Sequence, residues 1–97
     1  MPNVLELKRV VDIIFAHLVE DLKIEEVPID SEHDFYWEVP SDKLFAVSES
    51  PKELDIGCLS DDWEFLKRVL SHPEEGRTVM LQHAAPLLRY IAETIGQ

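Results

Sequence analysis

The stretch DFYWEVP, residues 34–40, sets three aromatic side chains side by side between acids and closes on a proline. Side chains alternate along a strand, so Phe35, Trp37 and Val39 fall on one face, Tyr36 and Glu38 on the other. Read this way, Phe35 and Trp37 are core residues and Tyr36 stands on the wetter face. The aromatic crowding then expresses β propensity and core filling, not a binding box. Downstream, Leu54, Ile56 and Cys58 alternate against Asp55, Gly57 and Leu59, which predicts a second strand over ELDIGCL. Upstream, IEEVPI could add a short edge strand, with DSEHD as the polar turn between. A sheet of two or three strands is marginal alone and needs helices over one face.

The sequence supplies those helices. Asn3 caps the first, with Glu6 placed to reach back as in a capping box. Val4, Leu7, Val11, Ile14, Leu18 and Leu22 recur at three- and four-residue steps, and Val10, Phe15 and Val19 widen the stripe. So wide a stripe predicts a helix over 4–23 lying deep against the core. Ser41 is placed to cap a short turn, SDKLFAV. Ser60, followed by Asp61 and Asp62, signals the start of a second long helix, with Trp63, Leu66, Val69 and Leu70 as its inner stripe. Pro73 and Gly76 break it. A last helix spans about 78–95, facing Met80, Leu81, Ala84, Leu87, Leu88, Ile91 and Ile95 inward. Pro86 lies inside it, which predicts a kink or a split into two shorter helices. The fold class is therefore α+β and mostly helical, in a single globular domain over 1–97.

Charge is the most informative feature of the composition. The chain has 97 residues and a formal net charge of −11. Fifteen acids and three bases (Lys23, Lys43, Lys52) lie between Glu20 and Glu64, a net of −12, whereas the rest is nearly neutral. Such a field repels nucleic acid and anionic membranes and attracts a basic protein. A single cysteine, Cys58, forbids an internal disulfide. With no leader pattern and no apolar run of membrane length, the expectation is a cytoplasmic protein.

Catalytic, cofactor and metal signatures are not predicted. His17 and Asp21 share a helix face at i,i+4, but a zinc site needs further ligands. His33 with Asp34, and His72 with Glu74 and Glu75, have no spacing that ties them together. Cys58 falls on an apolar strand face, which predicts a buried and inert thiol. With three glycines, a phosphate cradle is all but excluded. The expectation is a non-enzymatic, acidic interaction module that docks a basic protein partner. In charge and size, though not in sequence, it is like small inhibitors, immunity proteins and antitoxins. Tyr36, Glu38, Asp42, Asp55, Asp61 and Asp62 are the candidate partner-binding residues, forming an acidic rim with an aromatic anchor. The alternative is a structural or assembly protein that homodimerises through its broad apolar first helix, and behind that a metal binder or acid/base enzyme.

Overall fold

The computed structural model describes residues 1–40, 44–48 and 54–95. It is a mostly helical α+β fold. Helix α1 spans Val4–Ala16 and continues through a π turn, His17–Asp21. Strands β1, Phe35–Glu38, and β2, Asp55–Cys58, form an antiparallel pair. Helices α2, Leu59–Ser71, and α3, Met80–Ile95, follow, with a 3₁₀ turn at Pro73–Glu75 between them. The predicted turn residues Ser41, Asp42 and Lys43 lie outside the described residues. IEEVPI forms no strand, so the sheet has two strands and not three.

The first helix starts as its sequence dictates, with the side chain of Asn3 accepting from the Glu6 amide at 3.0 Å. Its far end departs from a regular α-helix. The Leu22 N–H reaches back five residues to the His17 carbonyl at 3.0 Å, which winds one extra residue into the last turn. Lys23, at φ 59, then terminates the helix in the left-handed region.

Register pairs Phe35 with Cys58, Tyr36 with Gly57, Trp37 with Ile56 and Glu38 with Asp55. The alternation is as read from the sequence, but the covered face is the opposite one. Phe35 (64% exposed), Trp37 (70%) and Ile56 (66%) stand open, as do Leu54 and Trp63 to a lesser degree; Leu66, expected in the core beside these five, is half-buried. Tyr36 turns inward instead. The cause is local: α2 begins directly after β2 and folds over the face bearing Gly57, where the Tyr36 ring lies against the glycine and a side chain at 57 would collide with it.

Helix α2 is also rotated from the expected stripe. Leu59 (3% exposed) and Asp62 (5%) are the buried residues of the described chain, with Leu66 and Val69 half-covered behind them. Ser60 is not the N-cap; it already lies inside the helix, whose N-cap is Cys58 with no side-chain capping bond. Asp34 does that work from across the fold: its carboxylate accepts the Ser60 amide and the Ser60 hydroxyl, each at 2.7 Å. Helix α3 packs on α2 and runs through Pro86 as one helix, without the split that the proline allowed. The phenol of Tyr90 on α3 donates to the Pro28 carbonyl at 2.8 Å, pinning the segment that leads to β1.

Helix α1 corrects the largest expectation. The sequence places it deep in the core, but every residue of Val4–Ala16 is exposed except Val11, which is half-buried. No other described element packs substantially against it. The chain is correspondingly open. Its radius of gyration is 15.2 Å, where about 12.5 Å is usual for this length.

Candidate functional site

Two features stand out, a polar cluster inside the fold and a groove beside it. The cluster centres on Asp62. One carboxylate oxygen, Oδ2, accepts the Tyr36 hydroxyl at 2.7 Å, and the other, Oδ1, meets His83 Nδ1 at 2.7 Å. Phe65 stacks on the His83 ring with centroids 4.8 Å apart and planes 15° from parallel. One buried carboxylate thus ties β1, α2 and α3 together. Burial, and then the bond to Asp62, pushes the Tyr36 phenol well above its ordinary value, so it stays a donor. A carboxylate fixing a histidine by Nδ1 is also the orienting half of a general base. No nucleophile among the described residues is bonded to that histidine.

The groove, of about 1130 Å³, runs along β1 and is walled on its far side by α3. Phe35, Trp37 and Phe45 supply exposed aromatic surface. Among the described residues the rim carries Asp30, Glu32, Glu38 and Glu93 against Arg89, which pairs with Glu93 at 3.4 Å. Its acidity has local support: the His33 ring bonds Asp30 at 2.7 Å and holds that carboxyl below its usual range.

The residues predicted from sequence to bind a partner are distributed as follows. Tyr36 and Glu38 line the groove. Asp55 is the cross-strand neighbour of Glu38, placing two like charges face to face. Asp61 is exposed in the first turn of α2. Asp62 is withdrawn from the surface and engaged on both oxygens. Asp42 lies outside the described residues. Sequence reading missed His83, Phe45, Arg89 and Tyr90. For His83 a signal existed: it stands three residues after Met80 and four before Leu87, a polar group on the apolar stripe of α3.

Among the described residues no group of three His, Cys, Asp or Glu side chains could hold a metal. His17 bonds Asp21 at 2.8 Å, His33 bonds Asp30 and not Asp34, and His72 lies 3.6 Å from Glu74. Cys58, expected to be buried, is half-buried. No helix among the described residues is long and apolar enough to cross a membrane. No protein-family model matches the chain, and no curated protein or solved structure matches it.

Proposed function

We propose that this chain is a non-catalytic interaction module whose groove along β1 receives a basic, apolar segment of another protein. The observation that supports the reading is the combination in one concavity of exposed Phe35, Trp37 and Phe45 with, among the described residues, four carboxylates and one arginine. Aromatics supply contact area at small entropic cost, and acids at the rim steer a cationic partner and fix its register. A groove with those walls disfavours an acidic or nucleic-acid ligand by simple repulsion.

The test uses a synthetic peptide in which leucines alternate with lysines and arginines, labelled with a fluorophore whose anisotropy is the readout. Binding should weaken as salt rises from 50 to 500 mM. Trp37→Ala should reduce affinity at least tenfold, and Glu32→Gln with Glu38→Gln should flatten the salt dependence. Binding that ignores both salt and these substitutions refutes the reading, as does equal affinity for a peptide with glutamates in place of its bases.

A further inference from the structure

The groove leaves α1 unaccounted for. The whole 11.2 kDa chain exposes 8384 Å², where a folded monomer of that mass exposes about 5,700 Å². A standard protein–protein contact covers only about 800 Å² on each partner. The excess is therefore large enough for a second contact besides the groove, and α1 presents an exposed apolar face that could make one. Val4, Leu7, Val10, Ile14, Phe15 and Leu22 all stand open on α1 and the turn that ends it.

We infer that α1 pairs antiparallel with α1 of a second copy about a two-fold axis near Val11 and Ile14. Three independent observations point to this occupant and this direction. The first is spacing. Val4, Leu7, Val11, Ile14 and Leu18 follow alternating three- and four-residue steps, the seam of a two-helix contact. The next seam position in a regular helix would be Asp21. The extra residue wound in by the π turn moves Leu22 into that place. The seam then reads symmetrically about its middle, so Leu7 meets Leu18 of the second copy, Val11 meets Ile14, and Val4 meets Leu22. Self-complementarity of this kind is what a two-fold contact requires.

The second observation is charge. Two chains of −11 repel, and they approach most easily where the field is weakest. Within Val4–Ala16, Glu6 and Asp12 balance Lys8 and Arg9, in contrast to the −12 of residues 20–64. The third is direction. The amino-terminal turns carry Lys8 and Arg9 against Glu6, a net of +1, and the other end carries Glu20 and Asp21, a net of −2. Antiparallel pairing sets opposite charges and opposite dipole ends side by side, whereas parallel pairing stacks like on like. The two copies expose their grooves independently, so the dimer rests on none of the argument for the basic partner.

The experiment combines sedimentation with cross-linking of the full chain. The protein should sediment as a dimer at micromolar concentration, and Ile14→Glu should raise the dimer dissociation constant at least 100-fold. Unchanged far-ultraviolet circular dichroism and tryptophan fluorescence, from Trp37 and Trp63 outside α1, would show that the variant is folded. In a Cys58→Ala background, Leu7→Cys chains mixed with Leu18→Cys chains should form a disulfide-linked pair on oxidation, and neither should do so alone. A monomeric wild type overturns the inference. So does cross-linking of Leu7→Cys chains with one another, which marks parallel helices. A dimer that yields no cross-link in the mixture also overturns it, because α1 would then be seated elsewhere, such as in the groove of the second copy. Ile14→Glu should leave binding of the basic peptide unchanged within twofold, which keeps the two proposals separable.

Discussion

The Tyr36 hydroxyl and Asp62 Oδ2 lie 2.7 Å apart, joining strand to helix across 26 positions of sequence. In a fold with so few buried side chains, this bond and its continuation to His83 hold together elements that larger proteins fasten with apolar cores. Asp62→Ala should therefore destabilise the protein by about 2–3 kcal/mol, because it strands two donors at once, while Tyr36→Phe should cost about 1 kcal/mol. Urea denaturation of both variants and of the double variant gives the coupling directly. Additive effects would mean that the pair does not interact in solution.

The raised Tyr36 pKa makes a prediction for alkaline solution. The unfolded phenol loses its proton around pH 10, whereas the folded one keeps it. The native state therefore binds more protons above pH 10, and stability falls as pH rises through that range. Below pH 10 the contribution is fully present. Tyr36→Phe should show a flatter decline of denaturation midpoint between pH 9 and 11 than the wild type; equal slopes would refute the assignment.

Gly57 is predicted to resist substitution. Gly57→Ala pushes a methyl group into the Tyr36 ring and should cost about 1–3 kcal/mol, the usual range for overpacking. The same change in a Tyr36→Ala background should cost much less, since the obstacle is gone. Thermal melts of the four proteins in that cycle distinguish a steric origin from a general intolerance of alanine.

Trp37 separates stability from binding. A buried tryptophan costs about 3–5 kcal/mol on truncation, but Trp37 is open, and Trp37→Ala should change stability by no more than about 0.5 kcal/mol. Its loss should register in peptide binding instead. A large fall in the denaturation midpoint would show that the exposed face is covered in solution.

Local rules carried the element pattern well. Asn3, the 3–4 spacing of α1 and the alternation around Tyr36 and Ile56 each specify their own conformation within a few residues. They are silent on which face of an element is covered. Alternation in FYWE is satisfied equally by either side; Gly57 decides it from another strand, and a residue with no side chain leaves no apolar mark. Helix α1 failed for the converse reason. Its broad stripe demands a partner, and the sequence does not say whether that partner is the rest of the chain. The acidic rim was legible as charge, but the burial of Asp62 depends on Tyr36 and His83 arriving from distant elements. Its position in the inner row with Leu59 and Leu66 was the one available hint.

The cap on α2 has a consequence for how the molecule comes into being. Asp34 lies upstream of the helix it caps, so during synthesis the acceptor leaves the ribosome before Ser60 does. The helix meets its cap as soon as the β hairpin closes, and not sooner. A peptide of residues 59–71 alone lacks that acceptor and faces the unfavourable first turn unaided. Helix initiation here is thus a report that the two strands have already found each other, which couples the order of chain growth to the order of assembly.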